Sequence, residues 1–156
     1  MYTRNEKMAE AKKLNSWCFV CGAENPQGLH IKKLRTEHGC RCDFTVERGW
    51  CGYTGILHGG IHAAILDEIM GDAVNDRLKT AVTLDMTIRY ISPGREGMAL
   101  VCEGEVASVS GRRAKARGTI REAATGKLIS EATGHYLRVD VENLKERADG
   151  QDAAGI

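Results

Sequence analysis

The run Leu57-His58-Gly59-Gly60, followed by a carboxylate at Asp67, is the stretch of this chain whose residue types suit catalysis. Two glycines after a histidine let a ligand come close to the backbone. The first amides of a helix have no intrahelical partner. A helix opening at this turn therefore offers donors to a polarised carbonyl oxygen or an oxyanion. At helical spacing Gly60, Ala64, Asp67 and Gly71 form one stripe, a groove of small residues holding a single carboxylate. Gly60 and Asp67 then supply an oxyanion donor and a general base along one groove, which suits attack of water on an acyl carbon.

Other reactive types have plainer readings. His58 either shuttles a proton or holds the turn by hydrogen bonds, and both roles stay open. Glu68 points away from the small stripe, toward Asp72 and Asn75, and reads as a solvated helix residue. Arg112, Arg113, Lys115 and Arg117 cluster; the last two find glutamates across a hairpin, whereas Arg112 and Arg113 have no assigned partner and suit phosphates. Cys18, Cys21, Cys40 and Cys42 suggest a zinc set. The second pair is spaced too tightly for a usual zinc site and falls on a predicted strand, so no metal is expected. Cys51 reads as a loop thiol and Cys102 as a core thiol.

The elements that must position these groups follow from periodicity. Residues 1–16 suit a short amphipathic helix or a frayed arm, residues 17–139 a folded domain, and residues 140–156 a polar tail. Strands are expected over 29–36 and 40–47, then a glycine-rich loop over 48–57. The helix over 58–75 is apolar on most sides and therefore buried. Four strands follow, over 80–91, 98–108, 112–122 and 127–138. In the first, Val82, Leu84, Met86, Ile88 and Tyr90 alternate with Thr83, Asp85, Thr87 and Arg89. A three-residue loop Val109-Ser110-Gly111 would set Glu103 opposite Arg117 and Glu105 opposite Lys115. Leu128, Ser130, Ala132 and Gly134 extend a small face that lets a helix approach closely.

At 156 residues one domain is the prior, and no disulfide or metal is needed to fold it. A net charge of +1 argues against a nucleic-acid partner. No apolar run is long enough to span a bilayer, and the N-terminal residues lack the apolar core of a secretory signal. With six cysteines, the expectation is a cytoplasmic protein with free thiols and no membrane partner.

Leu57-His58-Gly59-Gly60 with Asp67 and Gly71 resembles the His-Gly-Gly motif of hotdog-fold acyl-CoA thioesterases, in the phenylacetate-pathway (PaaI-like) branch. Similar to signatures of that branch are Cys18-Phe19-Val20-Cys21-Gly22 with Asn25-Pro26 and Gly28-Leu29, then Gly52-Tyr53-Thr54-Gly55-Ile56, then Gly111-Arg112-Arg113. The resemblance covers roughly residues 17–138. It implies an α+β hotdog fold, a long central helix wrapped by a curved antiparallel sheet of five to six strands. It implies a homodimer or homotetramer with sites between subunits, and no cofactor. It implies Asp67 as base or nucleophile and the Gly60 amide as the group that polarises the thioester carbonyl. Thr83 matches a position where some members place a water-orienting hydroxyl; on the face opposite Val82 and Leu84 it would act across the subunit interface. Some members carry Asn where this chain has Gly52, so Gly52, with Gly59, is expected to shape how substrate is held.

The function expected is hydrolysis of an acyl-CoA thioester to free acid and coenzyme A, with Arg112 and Arg113 on the coenzyme A phosphates. The rivals are a hotdog hydratase or dehydratase on acyl thioesters, a non-catalytic acyl-CoA binder, and a small zinc module with a structural role.

Overall fold

The computed structural model describes residues 15–140. The arm expected over 1–16 and the tail over 140–156 lie, but for residues 15, 16 and 140, outside the described residues. The elements are β1 (Leu34–Arg35), β2 (Gly39–Thr45), α1 (Gly59–Leu78), β3 (Ala81–Tyr90), β4 (Ala99–Ser110), β5 (Arg113–Glu122) and β6 (Leu128–Arg138). A single 3-10 turn, Arg48–Trp50, interrupts the glycine-rich loop. The six strands form one sheet in the order β1-β2-β4-β5-β6-β3, with every neighbouring pair antiparallel. This is the expected hotdog arrangement, with α1 packed on the inner face of the sheet. No helix among the described residues is long and apolar enough to cross a membrane.

The core is the contact between α1 and the small inner face. Ile65, Leu66, Ile69, Met70, Ala73 and Val74 are buried against it, and burying each large aliphatic side chain is worth roughly 1.5–3 kcal/mol. Glycine makes the approach close. A Cβ on Gly104 would lie 2.9 Å from the Met70 backbone nitrogen, and one on Gly118 would lie 2.9 Å from Met70 Cγ. The helix ends later than periodicity suggested, at Leu78. Lys79 there turns to a φ of 73°, and the Asn75 side chain takes the Ala81 amide at 2.9 Å.

Three expectations need correction. The first strand is only two residues, because the amides of Leu29 and Ile31 bond to Phe19 and Val20 in the cysteine loop instead of joining the sheet. The β4–β5 loop is two residues, Gly111 and Arg112, with Gly111 at φ 56°. An extra residue at Ala107 restores the match of faces, so Glu105 sits opposite Arg117 (2.5 Å), Glu103 opposite Thr119, and Lys115 opposite Ser108. A second extra residue, Leu84, breaks the alternation of β3. Beyond it Thr83 pairs with Tyr136 and turns to the inner face, while Leu84 is 45% exposed. The alternation alone had put Thr83 on the other face.

If the glycine contact sets the helix height, Gly104→Ala must lift α1 or distort β4. We expect a loss of about 1–3 kcal/mol by urea denaturation, as for other overpacked cores. Gly49→Ala, where a Cβ meets nothing within 4 Å, serves as the neutral control.

Candidate active site

Asp67 faces the sheet from the middle of α1. Its Oδ1 accepts from Thr83 Oγ1 at 2.7 Å and from Tyr136 Oη at 3.3 Å. Among the described residues its Oδ2 makes no hydrogen bond. One oxygen of the carboxylate is thus fixed and the other is free to take a proton. Burial, then the neighbouring Asp67 charge, pushes the Tyr136 phenol well above its ordinary value, so it stays a donor. Its ring lies over Gly134, where a Cβ would meet Cε2 at 2.9 Å, and against Gly71, where the distance would be 3.6 Å. The ring therefore fills the Gly71 end of the stripe expected to be an open groove.

Tyr136 was missed from sequence, yet its signal was there. Leu128, Ser130, Ala132 and Gly134 share one face at a period of two, and the next step is Tyr136. Thr83 reaches Asp67 within its own chain, not across an interface, because the Leu84 bulge turns it inward.

His58 caps the helix: its Nδ1 accepts from the Gly60 amide at 2.8 Å. The acceptor role places the ring hydrogen on Nε2. The Gly60 amide, expected to polarise a carbonyl, is thereby engaged. Gly59 has the open amide, for its N–H makes no hydrogen bond among the described residues, while its carbonyl accepts from Tyr90 Oη at 3.0 Å. A cleft of about 350 Å³ is lined by Gly52, Tyr53, Ile56, Leu57, His58 and Gly59. A Cβ at Gly52 would lie 2.8 Å from His58 Cδ2, so this glycine gives the imidazole its place. Behind the turn, buried His62 pairs with Ser130 Oγ at 3.0 Å and packs edge-on to Tyr90. Burial, and then His58, hold its pKa below the ordinary value, so it stays neutral.

The expected residues thus form three groups. Asp67 and Thr83 meet Tyr136; His58, Gly59 and Gly52 share the cleft, with Gly60 bonded to His58; Arg112 and Arg113 stand at the β4–β5 hairpin end. Arg112 bonds to the Arg138 carbonyl at 3.0 Å, and Arg113 is exposed. That end is close to Asp67 in the sheet, since Ala114 pairs with Tyr136. Gly59 precedes Asp67 by eight residues, about 12 Å of helix rise. A larger hollow, about 660 Å³, lies against Arg89, Glu103, Arg117 and Glu131 and holds none of the expected site residues.

The four cysteines weighed as zinc ligands do not gather. Cys40 and Cys42 are core residues of β2. Cys18 and Cys21 instead meet Glu68, with the ligand-type atoms of all three within 4.8 Å of one another. Glu68 is not the solvated residue expected. Cys18 Sγ donates to its Oε2 at 3.4 Å and Lys33 Nζ to its Oε1 at 2.6 Å. Burial opposes its charge, but bonds from Cys21 and Lys33 outweigh that and hold its carboxyl below the usual range.

Comparison with known proteins gives this geometry a family. Residues 54–129 match the family model described as Thioesterase superfamily. Acyl-coenzyme A thioesterase 13 of Homo sapiens is 33% identical over 92 residues, which cover 58% of this chain and 66% of that protein, just short of two thirds of its length. The crystal structure of zebra fish thioesterase superfamily member 2 superposes with a TM-score of 0.69 at 24% identity, over 83% of this chain and 97% of that one. A mutant of the phenylacetic acid degradation protein PaaI from Thermus thermophilus superposes with a TM-score of 0.64 at 26% identity, over 70% of this chain and 93% of that one. In the match that starts at the glycine-rich turn and runs into β6, and in the fold it shares with these structures, this chain is similar to proteins of the thioesterase superfamily.

Proposed function

We propose that this chain hydrolyses an acyl-coenzyme A thioester to the free acid and coenzyme A. The observation that carries the reading is Asp67: Oδ1 is held by two hydroxyls and Oδ2 is free beside the sheet. A carboxylate fixed in that way is a positioned general base. Water attacks the thioester carbon as Asp67 Oδ2 takes its proton. The carbonyl oxygen gains charge and is met by the open Gly59 amide, a role first expected of Gly60. The tetrahedral intermediate then expels the thiolate, which takes up the proton. Thr83 and Tyr136 aim the carboxylate, while His58 keeps the turn closed around its capping bond. The likeness to acyl-coenzyme A thioesterase 13 supports coenzyme A as the carrier. Arg112 and Arg113, at the hairpin end beside the Tyr136 row, suit its phosphates.

The working unit we infer is a homodimer or a larger homo-oligomer, in which Gly59 of one subunit serves Asp67 of another. The helix spacing of about 12 Å supports this. So does the sheet edge at β3, whose outer side has no neighbouring strand among the described residues and which displays Leu84 and Tyr90. Free thiols at all six cysteines suit the reducing cytoplasm.

Hydrolysis of a panel of acyl-CoAs, followed by loss of thioester absorbance, tests the reaction. Asp67→Asn should lower kcat by at least about 100-fold with the fold intact. Tyr136→Phe and Thr83→Val should each cost about ten-fold, the worth of one hydrogen bond to a charged group. Full activity in Asp67→Asn would sink the mechanism. Loss of enoyl absorbance without thiol release would favour a hydratase, and tight binding without turnover a carrier.

Arg113→Ala should raise KM for an acyl-CoA several-fold and leave KM for the matching acyl-pantetheine unchanged; an equal effect on both substrates would remove the arginine from the phosphate site.

Co-expression tests the shared site. Asp67→Asn and Gly59→Val subunits, each inactive alone, should together recover about a quarter of wild-type turnover, since half the dimers are mixed and each mixed dimer holds one intact site. No recovery from mixed dimers isolated by two tags would place the whole site in one chain.

A further inference from the structure

We propose that Cys18, Cys21 and Glu68 bind a thiophilic divalent cation of the zinc class, which clamps the N-terminal cysteine loop to α1. This lies outside the thioesterase reading and does not depend on it.

The loop is built to present two sulfurs on one side. The Cys18 amide bonds to Asn15 O at 3.1 Å, and the Gly22 amide bonds back to Cys18 O at 2.9 Å. A Cβ at Gly22 would sit 2.4 Å from the Cys18 nitrogen, so only glycine closes this turn after the second cysteine. Leu29 and Ile31 donate to Phe19 O and Val20 O, both at 2.8 Å, and fix the residues between the two thiols. Val20 is buried, which seats the loop on the core.

The third ligand comes from α1, the helix packed on the sheet. With metal–sulfur bonds of about 2.3 Å and metal–oxygen bonds of about 2.0 Å, a tetrahedral site has a sulfur–oxygen edge of about 3.5 Å. The Cys18 Sγ to Glu68 Oε2 separation is 3.4 Å. All three ligand atoms lie within 4.8 Å of one another, so small side-chain rotations bring them onto one ion. Two sulfurs and one carboxylate oxygen select zinc-class ions over magnesium or calcium, and water takes the fourth position.

Lys33 completes the site instead of competing for it. It bonds to Glu68 Oε1 at 2.6 Å and leaves Oε2 turned to the thiols. A divalent ion, two thiolates, one carboxylate and the Lys33 ammonium sum to zero charge. Asp72, also beside Lys33, is balanced by Arg35 at 3.4 Å. Binding releases the two thiol protons to solvent and needs no oxidant. Glu68 follows Asp67 in sequence but points about 100° away around the helix, so the ion takes no part in thioester attack.

The test uses the full chain, reduced and stripped with a chelator, and titrated anaerobically with Co²⁺. We expect one ion per chain, with the charge-transfer absorption of two cobalt–thiolate bonds, displaced by Zn²⁺. Cys18→Ser and Cys21→Ser should each lose at least half of that absorption. Glu68→Gln should weaken binding about ten-fold or more. Cys51→Ser, remote from the cluster, should bind as wild type. Zinc should raise the melting temperature of the wild type and not that of Cys21→Ser. X-ray absorption of the wild-type zinc form counts two sulfur ligands without any variant. No stoichiometric binding, absorption that survives loss of both cysteines, or a shell lacking two sulfurs would overturn the proposal.

Discussion

The structure depends on how near α1 comes to the sheet. Gly104 lies under the Met70 backbone and Gly118 under its side chain, so the helix backbone almost touches β4 and its side chains press on β5. At that height short side chains suffice to join helix and sheet. Asp67 reaches Thr83 and Tyr136 on β3 and β6, and Glu68 reaches the cysteine loop and Lys33 on the other flank. A helix held two or three ångströms further out would leave an aspartate too short to meet its hydroxyls. The small residues of the inner face are thus a condition of these hydrogen bonds as well as of the packing.

Two successive residues on one helix carry opposite environments. Asp67 is held by neutral donors, which orient a carboxylate without neutralising it. Glu68 is held by an ammonium and by thiols, which stabilise its charge and bind it to the loop. The first arrangement leaves one oxygen without a partner among the described residues. The second engages both oxygens, so the two flanks of the helix hold their carboxylates in different ways.

Much of this was legible in the sequence. The apolar breadth of α1 announced its burial, and the small-residue face of β4 to β6 announced a close partner. The His-Gly-Gly turn and Asp67 stood out by type and spacing. What stayed hidden has one physical root in each case. An extra residue in a strand changes which face the next side chain takes, and neither Leu84 nor Ala107 carries a glycine or proline to mark it. Those two residues misdirected Thr83 and shifted the hairpin partners. The bond that engages the Gly60 amide stayed hidden because a histidine can cap a helix through its own ring nitrogen, which its place in the sequence does not reveal. Glu68 looked solvated because its partners lie 35 and 50 residues away.

The bulge at Leu84 also links two features that look independent. Two threadings of β3 are open to the chain. A regular one would point Leu84 at the helix and satisfy the apolar alternation. The bulged one turns Leu84 toward solvent and gives its inward place to Thr83. Exposure of a leucine disfavours the second, and the 2.7 Å bond to Asp67 offsets that cost. The carboxylate is therefore part of what selects the strand register. Replacing Asp67 by an apolar residue would remove the bond that favours the bulged threading, so carboxylate and strand register are coupled.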